Sequence, residues 1–453
     1  MMDRRTAPGG YDVAYREQGV ESYWPQAPDS VRDTGLSAEF LSELTLKTLF
    51  ISGPATAEEL GDRLGISYSL CEELTFALKT EQSIEAMGSS GYSDWGIRYR
   101  LTGKGGKLAE AALDRSRYVG AVPVTLPEYT EMARFQSLRR NPPTQDMLGQ
   151  TFEPFILRPD VKDSLSRIFF SGRTVLIFGE SGNGKTSIVE SYAKTFSGSV
   201  LFPQALYVAG QIIRVYDPAK HVLQLVNEPI PVEGGPISLL RGGGRATKFD
   251  RRWIKIRRPV IFVGGELEPH DLDLTFDETS RLYQAPAHMK AQDGIFMIDD
   301  FGRQRARPEE ILNRWIVPME SSIDNLTLQT GESFTIPFEI ALIFSSNLKP
   351  NQLADEAFLR RIPYKINLPT PDPVLFAQIT RMWCGRMGVA YSEDGVDYLT
   401  RKLFDNPEIL PRATHPRDIA QMILDYARYD GLEPALTPDY VDKACTVYFI
   451  VET

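Results

Sequence analysis

The chain has 453 residues, 42% of them hydrophobic and 24% charged, an ordinary globular composition that excludes disordered and fibrous classes. Its 60 acidic and 50 basic side chains leave a net charge of −10, which argues against a coat for nucleic acid or an anionic membrane while leaving room for local basic patches. Three widely spaced cysteines (Cys71, Cys384, Cys445) give neither a disulfide framework nor a thiolate metal site. No apolar run approaches the ~20 residues of a membrane span and the first residues lack the apolar core of a signal peptide, so a soluble, cytoplasmic protein is expected.

Residues 1–35 are polar, rich in Gly, Pro and Asp and without periodicity, which predicts a disordered tail. From Ser37 the pattern turns helical, with Phe40, Leu41 and Leu44 on one face, until Gly53-Pro54 stops it. Thr56 and Glu59 have capping-box spacing and open a second helix, and Ser69 and Glu72 repeat it at the head of a third, whose apolar face is Leu70, Leu74 and Leu78. Two short strand-like runs follow. The second, Ile97 to Leu101, alternates in polarity and is separated from the first by a Gly/Ser turn.

Three helices and a two-stranded wing over 36–118 resemble a winged helix-turn-helix domain. Such a module commonly puts its third helix into the DNA major groove. Here that helix carries Glu72, Glu73 and Glu81 against Lys79, charges that phosphates repel, although Arg98 and Arg100 lie on the wing. A protein-docking or dimerising role fits the charges better.

A proline-interrupted stretch at 119–150 predicts a linker, after which strands alternate with helices. Thr174 to Phe178 is a short apolar run typical of a buried parallel strand. Gly179-Glu180-Ser181-Gly182-Asn183-Gly184-Lys185-Thr186 follows at once, with a helical segment from Ser187 to Phe196. This is G-x-x-x-x-G-K-[ST] in a strand–loop–helix context. The glycines let backbone N–H groups turn toward phosphate oxygens, and the helix N-terminus adds its dipole. Lys185 would neutralise the β- and γ-phosphates of a bound nucleotide and the Thr186 hydroxyl would ligate Mg²⁺, a pattern open to any P-loop NTPase. A second apolar run, Gly294 to Ile298, ends in Asp299-Asp300: Asp299 to hold the ion, largely through water, and Asp300 to orient or deprotonate the attacking water.

These motifs and four further features resemble the AAA+ ATPases over about residues 145–453. Ile340 to Phe344 followed by Ser345-Ser346-Asn347 looks like the sensor 1 strand, whose polar tip sits between the γ-phosphate and water. Ala357 to Ile362, with Arg360 and Arg361, resembles the segment carrying the arginine finger, which in that family reaches the neighbouring subunit's nucleotide; spacing does not choose between the two. Helical segments at 373–387, 392–404, 415–430 and 437–450 match the family's lid. His415-Pro416-Arg417-Asp418 is similar to its sensor 2 motif, so the resemblance implies that Arg417 touches nucleotide. Asn325 to Ile336, alternating about a Thr-Gly turn, and the helix Pro308 to Ser321 resemble the pre-sensor 1 β-hairpin branch that includes MoxR-type ATPases. Asp299-Asp300 stands where most of the family has Asp-Glu, which makes a slow or stimulated ATPase plausible.

The expected fold class is therefore α/β: a P-loop AAA+ parallel sheet over 151–370, with an insertion at 200–290, then an α-helical lid at 371–453, the winged helix-turn-helix domain coming first. Within the insertion, Gln211 to Leu225 reads as a hairpin turning at Asp217-Pro218. Arg241, Arg245, Lys248, Arg251, Arg252, Lys255, Arg257 and Arg258 stand against Asp250 alone, and read as a surface for nucleic acid or an acidic polypeptide, a subunit contact, or a solvated strand face. Phe276 or Tyr283 is a candidate aromatic grip near a pore loop. His221, His270, His288 and His415 have no partners at ligand spacing, and no zinc site is expected. The resemblance implies a hexameric ring, with ATP and Mg²⁺, that remodels a protein client recruited by the winged helix. The alternative is a DNA-associated ATPase such as a helicase loader, transposition accessory or transcription regulator.

Overall fold

A computed structural model describes residues 14–17, 20–87, 97–195, 198–224 and 249–449. Two short antiparallel strands, β1 (Ala14–Glu17) and β2 (Val20–Tyr23), come first. Helix α1 (Ala38–Ser52) starts where the Ser37 hydroxyl accepts the Phe40 N–H. After β3 (Ala55–Thr56), α2 (Ala57–Leu64) opens on the reciprocal Thr56–Glu59 capping box. Helix α3 (Tyr68–Thr80) is capped by Ser67, not by Ser69 as its capping-box spacing predicts; Ser67 is the extended residue whose hydroxyl reaches the Leu70 N–H. Strands β4 (Ile84–Met87) and β5 (Arg98–Leu101) complete an antiparallel sheet of order β3-β5-β4. Leu41, Leu44, Leu60, Leu64, Leu70, Leu74 and Leu78 form the core between the helices, closed by α4 (Gly103–Arg115). The expected Gly/Ser turn of the wing lies outside the described residues.

The tail and linker expectations need correction. Residues 24–34 are tied to the body: Trp24 Nε1 donates to Asp250 O (3.1 Å), Asp250 N to Pro25 O (2.9 Å) and Ser67 Oγ to Pro28 O (3.0 Å). Backbone carbonyls and one indole do the holding, so no periodic apolar pattern announces it. Residues 119–150 contain β6 (Val124–Thr125), α5 (Leu126–Gln136) and most of α6 (Gln145–Phe152), which crosses the boundary placed at 150. Pro127 sits in the first turn of α5, where proline is tolerated, and a Thr125–Glu128 capping box starts the helix. Val124, Tyr129, Met132, Leu138 and Leu148 are buried.

Helix α7 (Pro159–Ser171), strand β7 (Val175–Phe178) and helix α8 (Lys185–Thr195) lead into β8 (Ser199–Pro203). The hairpin in this region is formed by β9 (Ala205–Val208) and β10 (Gln211–Arg214), turning at Ala209-Gly210, both at positive φ, rather than at Asp217-Pro218. Asp217 instead takes the Lys290 ammonium at 2.9 Å. Strand β11 (Trp253–Arg257) pairs with β8, and β12 (Val260–Val263) belongs to the main sheet, so the inserted material stops short of 260. Strands β13 (Thr275–Asp277) and β14 (Leu282–Gln284) extend the sheet β13-β14-β10-β9-β6, with the one-turn helix α9 (Ala287–Lys290) after them.

Within the described part of the basic run Arg257 is exposed, but several of its neighbours are buried or paired. Arg252, 2% exposed, pairs with buried Asp250 (2.8 Å) and with Glu128 (2.6 Å), Arg251 pairs with Asp62 (2.6 Å), and buried Arg258 donates to Gln136 O (3.1 Å). Arg241, Arg245 and Lys248 lie outside the described residues. Tyr283 is buried, its hydroxyl accepting the Gln329 N–H (2.9 Å), and Phe276 packs on its ring at 4.9 Å, so neither is a surface grip.

The remaining elements are β15 (Ile295–Ile298), α10 (Pro308–Ser321), the antiparallel hairpin β16 (Ile323–Thr327) and β17 (Ser333–Pro337), β18 (Ala341–Ser346), the single turns α11 (Pro350–Leu353) and α12 (Glu356–Leu359), and β19 (Tyr364–Asn367). The fold is α/β. Its main sheet is five-stranded and wholly parallel, in the order β12-β15-β18-β7-β19. Alternate residues enter opposite layers, as a pleated strand requires. Val175, Ile177, Ile295, Met297 and Ile343 meet α7 and α8 on one side. Leu176, Phe296, Ile298, Leu342 and Phe344 meet Trp315 of α10 on the other. Both faces being covered explains why these strands read as unbroken apolar runs.

The C-terminal region is helical: α13 (Pro373–Met387), α14 (Glu393–Phe404), α15 (His415–Asp430) and α16 (Pro438–Tyr448) close around Phe376, Leu399, Ile419, Ile423 and Val441. Among the described residues no helix is long and apolar enough to cross a membrane.

Candidate active site

The turn from β7 into α8 can close only with glycine at its first position. Gly179 has φ +142°, and a Cβ there would stand 2.3 Å from Leu368 O. Gly182 and Gly184 also have positive φ, +83° and +86°, which turns the intervening amides toward the mouth of α8. Lys185 opens α8 and is buried. Its Nζ donates to Gly179 O (2.8 Å), Glu180 O (3.0 Å) and Asn347 Oδ1 (2.6 Å). Burial lowers its pKa, against the raising influence of Asp299, Asp300 and Glu180. Glu180 and Ser181 are exposed at the loop tip, and Ser187 is exposed in the first turn of α8.

The sheet order brings the second motif to this lysine. Because β18 lies between β7 and β15, the tips of all three strands emerge side by side. Thr186 Oγ1 donates to Asp299 Oδ2 (2.7 Å), and the Asp300 N–H donates to Asp299 Oδ1 (2.9 Å). Asn347 Nδ2 donates to Asp300 Oδ1 (2.9 Å) while its own Oδ1 takes Lys185, so Thr186, Asp299, Asp300, Asn347 and Lys185 form one continuous set. Asp300 holds φ +48°, an uncommon left-handed conformation that aspartate tolerates better than most residues. The tip of β18 is fixed in turn, with Phe301 N donating to Ser345 O (2.7 Å) and Ser346 Oγ to Phe301 O (2.6 Å).

Among the described residues no group of three or more His, Cys, Asp or Glu could hold a metal. The Thr186 hydroxyl and Asp299 carboxylate are nevertheless a fitting pair of hard oxygens for Mg²⁺, which keeps most of its waters and needs few protein ligands.

The side chains of the other expected site residues make the following contacts. Asn183 is buried and serves as a tie: its Nδ2 donates to Leu368 O (3.3 Å) and its Oδ1 accepts the Ala413 N–H (3.4 Å). Arg417, in the first turn of α15, bonds Asp418 (2.9 Å), and no described hydrogen bond carries it to the loop. The segment just before it makes that contact. Thr414 N donates to Gly182 O (3.0 Å), and a Cβ on Gly182 would meet Thr414 Oγ1 at 2.7 Å and Arg412 Cδ at 3.4 Å. Arg412 precedes the helix that carries His415 to Asp418, and no local motif marks it. Arg360 pairs with Glu356 (3.1 Å) and Arg361 with Glu320 (2.8 Å). Both line a cleft with Thr174 and Pro363, which precede β7 and β19, at the sheet edge opposite the phosphate loop. They do not join Lys185 within one chain.

A family model described as a domain of unknown function (DUF8689) matches residues 372–447, the helical C-terminal region. No curated protein matches the chain. Similar solved structures include a mutant of RuvB from Thermotoga maritima, 12% identical over 67% of this chain and 73% of that one, with TM-score 0.39. The RuvB Holliday junction branch migration motor of the same organism is 12% identical over 70% and 73%, with TM-score 0.34. NtrX from Brucella abortus in complex with ATP is 13% identical over 76% and 65%, with TM-score 0.35.

Proposed function

We propose that the chain is an AAA+-type ATPase that hydrolyses ATP to ADP and phosphate as a ring oligomer and uses the cycle to remodel a protein partner. The observation that carries the ATPase reading is the convergence of Lys185 and Asp300 on Asn347, beside the Thr186–Asp299 pair. The loop amides and Lys185 bind the β- and γ-phosphates of ATP. Asp300 accepts a proton from the water that attacks the γ-phosphorus as the bond to the ADP oxygen breaks. Asn347 fixes the Asp300 carboxylate and spans to Lys185. Thr186 and Asp299 would hold Mg²⁺, which would supply charge neutralisation at the phosphates.

The ring reading draws support from the place of Arg360 and Arg361. The loop leaves the C-terminal end of β7, whereas these arginines flank its N-terminal end, a strand length of roughly 13 Å away. The chain's own loop does not reach them, so their place suits a phosphate brought from outside the chain, as another copy would bring it. The branch with the pre-sensor 1 hairpin is supported by β16 and β17, and the protein-docking reading of the N-terminal module by the exposed Glu72, Glu73 and Phe76 on α3. The nucleic-acid alternative rests on wing cations that each have a surface carboxylate beside them, Arg98 with Glu59 (3.1 Å) and Arg100 with Glu85 (2.7 Å).

The test is steady-state phosphate release with saturating Mg²⁺ and ATP, together with sedimentation. Lys185→Ala should lose nucleotide binding and turnover. A wild-type chain that remains a monomer and hydrolyses no ATP would overturn the reading.

A further inference from the structure

Asp300 holds φ +48°, a backbone conformation that a residue with a side chain keeps only where its surroundings impose it. The strands beside it fix its two neighbours. Asp299 N donates to Val263 O (2.8 Å), and Phe301 N donates to Ser345 O (2.7 Å). Beyond Phe301 the chain turns at Gly302, φ +99°, where a Cβ would stand 2.5 Å from Leu353 Cδ2. Arg303 N then donates back to Asp300 O (2.9 Å).

One side chain closes this turn. Gln304 Oε1 accepts the Gly302 N–H (2.8 Å), and Gln304 Nε2 donates to Asp299 O (3.1 Å). The amide ties the residue before Asp300 to the second residue after it, so Asp300 sits inside a closed ring. Such a clip needs a donor and an acceptor on one planar group with the reach of two methylenes. Glutamate would set an oxygen against the Asp299 carbonyl, and asparagine is one methylene short. Gln304 is half-buried between the exposed Arg303 and Arg305, in a polar run that carries no motif. Asn347 therefore holds the far end of the Asp300 side chain, through its carboxylate, while Gln304 holds the backbone from which that side chain departs.

We infer that Gln304 is a positioning residue for hydrolysis, whose amide locks the turn that aims the Asp300 carboxylate at the attacking water. This deepens the ATPase reading and rests on it. The test measures phosphate release by the full-length chain across ATP concentrations, with ATP affinity titrated on the same preparations. Gln304→Met keeps the length and volume of the side chain but offers neither partner to the backbone. It should lower kcat roughly tenfold to a hundredfold, the loss that a misplacement of about 1 Å brings, with KM and ATP affinity unchanged. Gln304→Asn, which keeps the amide without its reach, should also lose turnover.

The deciding comparison is made in an Asp300→Asn background, read in single turnovers. There Gln304→Met should change the rate less than twofold, because no base remains to be aimed. The same fractional loss in both backgrounds would make the clip a general brace of the loop and overturn the inference. Wild-type kcat in Gln304→Met, or a fall in ATP affinity that matches the fall in kcat, would overturn it too. In each of these cases the wild-type chain still hydrolyses ATP and the ATPase reading stands; a wild-type chain without turnover defeats that reading and the inference with it.

Discussion

Replacing Asp300 by asparagine separates chemistry from geometry at the candidate site. The residue sits at φ +48° and accepts the Asn347 amide at 2.9 Å. Asparagine also tolerates the left-handed region, so the backbone and the contact to Asn347 are retained while the base is lost. General-base removal costs typically ~10²–10⁴ in rate, which is about 3–5 kcal/mol on the barrier at 1.36 kcal/mol per decade. ATP affinity should hold or rise, because one carboxylate near the γ-phosphate disappears. Asp300→Ala should add a structural penalty of about 1 kcal/mol, since alanine is strained at positive φ. Continuous phosphate-release assays, nucleotide titration and urea unfolding of both variants give the three readouts. An Asn variant that keeps more than a tenth of wild-type turnover would refute the assigned role, and equal stability of the Asn and Ala variants would refute the backbone argument.

Asn347→Ala should leave ATP bound but lower turnover by at least tenfold, since both Lys185 and Asp300 lose their common partner; unchanged turnover in the same assay would contradict the arrangement. Arg252→Ala strands the buried Asp250 carboxylate and should destabilise the chain by about 3–5 kcal/mol in urea unfolding, against under ~1 kcal/mol for the exposed Arg158→Ala. His415 is buried against Tyr448 and Phe449, and burial, aided by Arg412, takes its pKa from 6.5 to about 4. A histidine kept neutral in the fold but protonated when unfolded contributes stability above pH 6.5. That contribution declines by up to about 1.4 kcal/mol per unit as pH falls toward 4. His415→Asn should show a correspondingly shallower acid loss of stability in the C-terminal helices, measured by urea midpoints at pH 7 and 4.5.

Where local chemistry decides structure, the chain could be read directly. Glycines at 179, 182 and 184 ahead of Lys185, and apolar runs ending in Asp299 and Asn347, announce the site because each motif is contiguous. The helices at 373–387 and 415–430 are bounded by their own proline and glycine signals. What could not be read depends on contacts between distant segments. Residues 24–34 are held by carbonyl oxygens, which leave no mark on side-chain pattern. The prolines near 127 and 142 look like breaks, yet one begins a helix and the others join two. The basic cluster near Arg252 reads as surface because, besides the adjacent Asp250, its carboxylate partners Glu128 and Asp62 are over a hundred residues away.

The stitch between Gly182 and Thr414, with Asn183 reaching Ala413, has a consequence for how remote changes are felt. The C-terminal helices hang from the very peptide groups that would wrap a phosphate, so tilting that bundle and tightening the grip are one free energy measured from two ends. A substitution far out on α14 that shifts the bundle by a fraction of an ångström should therefore register first as altered nucleotide affinity, and nucleotide should in turn work as a lever on whatever those helices touch.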